Sequence, residues 1–312
     1  MSSIRTAVKL LKADKKSFKR AAVLKLCRLR LFRIIPDKMF LSIQYKGNFG
    51  KKLNWDNPQT FNEKLQWLKV YDRNPEYCRM VDKYEVKKYV ADLIGEEYII
   101  STLGVWDSFD DIDFDQLPDK FVLKCTHDSG SVVICQNKSS FDVDKAREKL
   151  EKKLKRNMFW WGREWPYKNV KPRILAEQFM EDDSGELRDY KFMCFNGEVR
   201  CSFTCTDRFS GKGLHVTFFD KDWNVMPFER SYPSVKEGVP KPLNYEKMLV
   251  LAEKLSADIP FVRVDFYEVG GQIYFGELTF FPGNGMEAFQ PEEWDYRLGE
   301  WIDLPNKETI KG

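Results

Sequence analysis

P-F-V-R-V-D-F-Y-E-V-G-G-Q-I-Y-F-G-E-L-T-F-F-P-G-N-G, from Pro260 to Gly285, is the stretch whose reading decides the fold. Its two arms, Phe261–Tyr267 and Gln272–Leu278, alternate apolar and polar residues about Gly270-Gly271, which predicts a β-hairpin. With Val262, Val264 and Phe266 turned inward, Arg263, Asp265 and Tyr267 share the opposite face, because side chains alternate along a strand. Asp265 and Glu277 lie 12 positions apart on arms that fold back on each other, so their carboxylates can approach. Two such carboxylates repel and tend to protonate unless a cation lies between them. Mg²⁺ suits hard oxygen ligands of this kind and commonly bridges to a nucleotide's phosphates. Spacing alone is also compatible with an edge hairpin whose charges are simply solvated.

Working outward, F-V-L-K-C (Phe121–Cys125), T-H-D-S-G-S and V-V-I-C read as strand, small-residue turn and strand. Lys124 flanks that turn, whose backbone N–H groups and nearby charge can meet a phosphate. The turn is neither a Walker A sequence nor a dinucleotide fingerprint, and an ordinary hairpin explains it equally. R-I-L-A-E-Q-F-M-E-D-D (Arg173–Asp183) reads as a buried strand running into an acidic turn. R-D-Y-K-F-M-C-F-N-G-E-V-R-C-S-F then forms a hairpin at Asn196-Gly197, with Arg188 and Lys191 on its first arm. A charged helix is expected from Asp142 to about Arg156, a strand over His215–Phe219 and a helix over Tyr245–Ala257. Before Leu117 the pattern is helical. Thr60 and Glu63 have capping-box spacing at the head of F-N-E-K-L-Q-W-L, and Asn74-Pro75 opens a helix expected to run to about Val90, carrying Lys83. The expected organisation is a basic segment (1–36), a helical N-terminal region (37–116) and an α+β unit (117–312), itself divided into about 117–176 and 177–312.

Taken in chain order, Lys83, Lys124, Glu177, Lys191 and the group Arg263, Asp265 and Glu277 resemble the series found in the ATP-grasp superfamily. R-V-D-F-Y…Y-F-G-E-L-T-F-F-P-G is similar to the metal-binding segment of the D-alanine–D-alanine ligases. The fuller resemblance is to the teichuronopeptide-biosynthesis (TupA-like) ATP-grasp family of surface-polysaccharide gene clusters. Its motifs here are F-N-E-K-L-Q-W-L-K, V-D-K-Y-E-V-K-K-Y-V, F-V-L-K-C-T-H-D-S-G, D-Y-K-F-M-C-F-N-G and the final hairpin, spanning roughly Ile35 to Trp301.

The resemblance implies an α+β, ATP-grasp fold, in which two subdomains clasp ATP, preceded by a mostly helical region. It implies that Lys83 and Lys124 hold the nucleotide phosphates beneath a flexible loop, Asp128–Ser131, that includes Ser129 and Gly130. Glu177 to Met180, with Phe179, match the hinge strand whose backbone meets the adenine edge, and Asp182 or Asp183 matches the ribose partner. Lys191 falls where a cation approaches the terminal phosphate. Asp265 and Glu277 match the metal-bridging carboxylates, and Arg263 matches the arginine that steadies a phosphorylated intermediate. Gly283-Asn284-Gly285 are placed to offer backbone donors to an oxyanion. Thr279 stands where many members carry Asn; its hydroxyl can still ligate Mg²⁺. No Rossmann-like substrate domain is evident before Phe121, so the acceptor pocket does not follow by analogy.

The implied activity is an ATP- and Mg²⁺-dependent carboxylate–amine ligase of bacterial cell-surface polysaccharide biosynthesis. It would work through an acyl phosphate, joining an amino acid to a sugar carboxylate. A glycosyltransferase of capsular or cell-wall polysaccharide biosynthesis is the second reading, and a binding protein that has lost catalysis is the third.

Composition sets the remaining bounds. A chain of 312 residues with 43% hydrophobic and 32% charged residues is ordinary for a globular protein able to bury a sizeable core. Up to Pro36 eleven basic residues face Asp14 alone, a balance of +10 in a chain whose total is +3. Leu24, Cys27, Leu31 and Ile34 recur there at helical spacing, so the segment reads as a basic amphipathic helix. Such a helix can lie on the anionic inner face of a membrane or pack on its own domain, and it has no apolar run long enough to span a bilayer. The rest of the chain is acidic without a recognition motif, which argues against nucleic acid as a partner. Seven cysteines without a C-x-x-C pair, and only His127 and His215, suggest neither a zinc site nor a disulfide framework, and fit the cytoplasm.

Overall fold

The computed structural model describes residues 23–25, 27, 30–181, 187–206, 213–235 and 238–306. From Asp37 to the first strand the described residues form four α-helices: α1 (Asp37–Phe49), α2 (Phe61–Tyr71), α3 (Glu76–Val81) and α4 (Glu85–Ile94). The Thr60 hydroxyl accepts from the Glu63 amide at 3.2 Å, and the Glu63 carboxylate accepts from the Thr60 amide at 3.4 Å, so the capping box starts α2.

The helix expected to run from Asn74-Pro75 to Val90 is broken, and Lys83 lies in the break rather than on a helix. Asp82 causes it. Its Oδ1 accepts from the amides of Tyr84 (2.8 Å) and Glu85 (3.2 Å), capping α4, while Oδ2 accepts from Arg173 at 2.8 Å. The Lys83 amide, freed from any helical ladder, donates to the Thr126 carbonyl at 3.0 Å.

The first sheet contains β1 (Thr102–Trp106), β2 (Phe121–Cys125), β3 (Val133–Cys135) and β4 (Ile174–Gln178) in the order β1-β4-β2-β3, all antiparallel. Its strands therefore begin at Thr102, N-terminal to position 117, because Thr102–Trp106 pairs with β4. Phe121, Leu123 and Cys125 are fully buried among Ala146 and Leu150 of α5 (Val143–Leu154). Val122 and Lys124 consequently face the other way.

The second sheet is β10-β9-β5-β6-β7, built from β5 (Asp189–Phe195), β6 (Glu198–Thr206), β7 (His215–Phe219), β9 (Phe261–Val269) and β10 (Gln272–Thr279). Asn196-Gly197 and Gly270-Gly271 take positive φ at their turns, as two-residue hairpins of matching twist require. Val262, Val264 and Phe266 are fully buried in one core with Leu251, Ala252 and Leu255 of α7 (Tyr245–Leu255), which follows the short helix α6 (Phe159–Gly162). A small ladder of β8 (Glu229–Arg230) with β11 (Phe289–Gln290), then α8 (Glu293–Glu300), complete the fold.

Among its described residues the basic N-terminal segment does not present a single apolar stripe. Cys27 is buried with Phe40, Leu41 and Trp55, whereas Leu31 and Ile34 are 70% and 81% exposed. Arg30–Ile34 winds as a 3₁₀ turn, three residues per turn, which takes those two side chains out of the α-helical phase. The part of the segment before Val23 lies outside the described residues. Among the described residues no helix is long and apolar enough to cross a membrane.

Candidate functional site

The two acidic residues of the last hairpin meet because the hairpin is irregular. From the Gly-Gly turn the ladder runs Val269↔Gln272 to Phe266↔Phe275, a register that would set Asp265 opposite Gly276 and turn Glu277 into the core. A bulge between Phe275 and Glu277 inserts Gly276, and the pairing resumes as Asp265↔Glu277, Leu278↔Val264 and Thr279↔Arg263. Lys191 stands opposite Asp265 on the other side, on β5. One row across three strands thus carries Lys191, Asp265 and Glu277.

Arg263 ties the row together. Its Nε and Nη2 donate to the two Asp265 oxygens at 2.6 and 2.7 Å, and Nη2 also donates to Glu277 Oε1 at 2.6 Å. The Thr279 hydroxyl donates to the same Glu277 oxygen at 3.1 Å. Lys191, 9% exposed, reaches Asp265 and Asp189, each at 2.6 Å. Burial pulls the Lys191 ammonium down, and the Asp265 carboxylate more than restores it, leaving it above its ordinary value. Burial pushes the Asp265 carboxyl up, against Arg263 and Lys191. For Glu277 burial also acts upward, but Arg263, Lys83 and Lys191 outweigh it and hold the carboxyl at about 2. Its side chain is 43% exposed toward the cleft.

A second group of charges comes from the first sheet and the α3–α4 break. The Lys83 ammonium donates to the Asp128 carbonyl, so it sits beneath the 128–131 loop. Burial pulls it down, and the Glu277 carboxylate across the cleft opposes that pull. Lys124 reaches Glu177 Oε2 at 2.5 Å, and Lys87 reaches Glu177 Oε1 at 2.7 Å. Burial pushes the Glu177 carboxyl up, but Lys124 and Lys87 more than offset it and leave it below its ordinary value. In the loop itself Gly130 takes a positive φ, Ser131 accepts from the Cys125 amide at 2.8 Å, and the Ser129 carbonyl accepts from Lys153 at 2.9 Å.

Between the sheets lies a cavity of about 360 Å³. Ile100, Val122 and Ile134 give it apolar walls, Lys124 and Asp189 mark one side, and the chain from Gln178 to Glu181 forms its edge. Phe179 lines it with its ring 5.5 Å from the Lys120 ammonium. The final ladder pair of β4 is Phe121↔Gln178, so Phe179 to Glu181 continue past the sheet along the cavity. Asp182 and Asp183 lie outside the described residues.

The Gly283-Asn284-Gly285 loop holds three consecutive positive φ values, 56°, 60° and 57°. Two side chains of α2 secure it. Gln66 donates to the carbonyls of Asn284 (3.2 Å) and Gly285 (2.8 Å). Lys69, fully buried, donates to the Asn284 carbonyl at 2.8 Å and to its side-chain oxygen at 2.5 Å. Burial pulls Lys69 down to about 7, opposed by Glu164, which burial pushes up to about 7.

These residues fit a nucleotide and a divalent cation. A cavity with apolar walls edged by the 178–181 backbone suits a purine, and Lys124 in its lining suits a phosphate. Asp265 and Glu277 face each other with the Thr279 hydroxyl alongside, and Glu277 uses only Oε1 for Arg263 and Thr279. Among the described residues no third His, Cys, Asp or Glu joins them, and both Asp265 oxygens are held by Arg263 and Lys191, so a cation here would share Asp265 with those groups and complete its shell with phosphate and water oxygens.

Lys124 and Glu177 line the cavity itself, while Lys191, Arg263, Asp265, Glu277 and Thr279 form one contact group to which Lys83 is joined by its attraction to Glu277. Lys87 was not singled out in the sequence, although it lies four residues after Lys83 in V-D-K-Y-E-V-K-K-Y-V. Gln66 and Lys69 were quoted in a motif without a role; only the contact between α2 and the 282–285 turn assigns one.

No curated protein sequence matches the chain. Among solved structures it is similar to D-alanine–D-alanine ligase from Bacillus anthracis complexed with ATP (16% identity, covering 65% of this chain and 55% of that chain, TM-score 0.38). It is also similar to D-alanine–D-alanine ligase from Helicobacter pylori (15% identity, 78% and 69%, TM-score 0.40). A RimK domain ATP-grasp protein from Sphaerobacter thermophilus is a third (14% identity, 74% and 70%, TM-score 0.39). The chain spans about half the length of the first of these, at 55%. The family described as TupA-like ATPgrasp matches residues 63–303, most of the sequence, and the chain belongs to that family.

Proposed function

We propose that this protein is an ATP-dependent carboxylate–amine ligase that joins an amino acid to a sugar carboxylate in bacterial cell-surface polysaccharide biosynthesis. The observation that carries the reading is the Asp265↔Glu277 pair, with Arg263 bridging both carboxylates and Lys191 beside them, next to a cavity edged by Lys124. A carboxylate does not condense with an amine in water, because its oxygen is a poor leaving group. Moving the γ-phosphoryl group of ATP onto it gives an acyl phosphate, which an amine attacks with loss of phosphate. Such transfer is largely positioning and neutralisation of charge.

The chain's residues meet those needs. Lys83 and Lys124 receive phosphate charge, and exchanging the Lys124–Glu177 contact for a phosphate keeps that ammonium paired throughout. Lys191 stands where the terminal phosphate approaches, and Arg263 steadies the acyl phosphate. Mg²⁺ held by Asp265, Glu277 and Thr279 supplies neutralisation of the phosphate oxygens. The 283–285 turn is fixed by Gln66 and Lys69; its Asn284 amide is taken by the Phe281 carbonyl at 2.9 Å, so the donors it offers the developing oxyanion are the amides of Gly283 and Gly285. Asp182 remains the ribose partner in this reading.

The test is incubation of the full chain with ATP, Mg²⁺, uronates and amino acids. ADP, phosphate and an amide are expected. AMP with diphosphate, or consumption of a nucleotide sugar without ATP, overturns the reading. Asp265→Asn is expected to lower kcat about 10²–10³-fold, the scale of losing a preorganised group at the reacting centre; an unchanged rate removes Asp265 from the site.

A further inference from the structure

A second and larger cavity, about 960 Å³, lies beside the first. It meets the 128–131 loop at Ser129, whereas the first cavity meets the same hairpin at Val132. Gly283 and Asn284 form part of its wall, so it opens onto the turn assigned to the oxyanion.

Its charge is lopsided. Arg30, Arg33, Lys153, Lys155 and Arg156 line it, against the single carboxylate of Glu164. Glu164 is already opposed by Lys69. Among the described residues only Lys153 of the five cations has an ion-pair partner, Asp128 at 3.3 Å. Like charges gathered around a concavity raise the local concentration of anions and favour one that carries several charges. One carboxylate would not balance this set.

The aromatic residues add a second requirement. The Trp160 ring is held by the guanidinium groups of Arg33 (5.1 Å) and Arg163 (4.9 Å). Trp161 is 56% exposed at the same cavity, a broad apolar surface of the kind on which a sugar ring packs. Leu31 and Ile34, exposed beside Arg30 and Arg33 in the chain, place apolar surface next to the cationic group.

We propose that this cavity binds a diphosphate-linked sugar, with the diphosphate among Arg30, Arg33 and Arg156, the ring against Trp161 and the reacting carboxylate toward Asn284. The direction of the carboxylate rests on the ligase reading; the binding itself does not. The same chemistry is carried by a soluble nucleotide sugar and by a lipid-linked sugar diphosphate, and the experiment separates them.

The full chain is titrated calorimetrically, without ATP, with uridine diphosphate glucuronate, with glucuronate diphosphate on a short polyprenyl chain in detergent, and with glucuronate alone. At least one diphosphate sugar is expected to bind about tenfold or more tightly than glucuronate, and not to be displaced by ADP. The Arg33→Gln/Arg156→Gln double variant, both positions exposed, is expected to weaken it about tenfold while affinity for a non-hydrolysable ATP analogue stays within about twofold. Trp161→Ala is expected to weaken it severalfold. Tighter binding of the polyprenyl form identifies a lipid-linked ligand, and the reverse a nucleotide sugar. Absence of binding by both forms at about 1 mM, displacement by ADP, or unchanged affinity in the double variant overturns the proposal. Diphosphate-sugar binding in a chain that forms no amide would sink the ligase reading and leave the cavity's assignment standing.

Discussion

Replacing Glu177 by Gln tests whether the cations of the first sheet are held ready for phosphate. The Glu177 side chain is 7% exposed, with its oxygens 2.7 Å from Lys87 and 2.5 Å from Lys124. At an effective dielectric near 20, Coulomb's law gives roughly 6 kcal/mol for each contact, and desolvation of the ions offsets much of it. Removing one member of such a buried set costs about 3–5 kcal/mol, because the remaining charges stay buried without a counter-charge. The amide keeps the volume and one acceptor, and Lys87 keeps its bond to the Ile100 carbonyl at 2.6 Å, so the lower end, about 3 kcal/mol, is expected. At about 2 °C per kcal/mol for a chain of this size, Tm should fall by roughly 6 °C. The second half of the experiment adds a non-hydrolysable ATP analogue with Mg²⁺. Its phosphates restore the missing counter-charge to Lys124, so the ligand-induced rise in Tm should be larger in Glu177→Gln than in the wild type. A variant that melts with the wild type refutes the energetic argument. An equal or smaller ligand shift refutes the placement of Lys124 at the phosphates.

Other consequences can be checked independently. A Cβ at Gly276 would come within 3.0 Å of the Asp265 carbonyl and 3.2 Å of the Tyr267 ring, so Gly276→Ala should cost about 1–2 kcal/mol and displace Glu277. Ligase turnover should drop more than the melting temperature implies, and wild-type kcat would show that the bulge tolerates a side chain. Lys69→Met removes the donor that secures Asn284 and takes away the positive charge opposing Glu164, at about 1–3 kcal/mol by denaturant unfolding. Adding Glu164→Gln should recover part of that loss, and strictly additive costs would deny the pairing. Glu277 titrates at about 2 in the folded chain, depressed from 4.5. Its stabilising contribution is therefore complete above about 4.5 and is lost as pH falls toward about 2. Glu277→Gln should flatten Tm against pH across that window, and an unchanged acid limb would contradict the cation arrangement around it.

Local signals proved legible where their cause is local. Gly270-Gly271 and Asn196-Gly197 turn their hairpins because their positive φ matches strand twist, and Thr60 with Glu63 starts α2 through bonds made within one turn. F-V-L-K-C reads as a strand from its apolar run alone, but only the structure shows that Phe121, Leu123 and Cys125 face the core and Lys124 the other side. The family resemblance extended this to the order of the lysines and carboxylates, and the family match covers that region.

What the chain determined unaided were elements, turns and the types of charge each strand carries, since these depend on contacts a few residues apart. Which of those charges meet was settled by packing. Glu277 faces Asp265 only because one inserted residue shifts the ladder, and periodicity cannot register a bulge. Lys83 leaves its helix because Asp82 bonds Arg173, 91 residues away. Lys69 acquires a purpose only when α2 meets Asn284, 215 residues downstream. Desolvation and long-range pairing act through space rather than along the chain, so their effects appear only once the sheets have closed on one another.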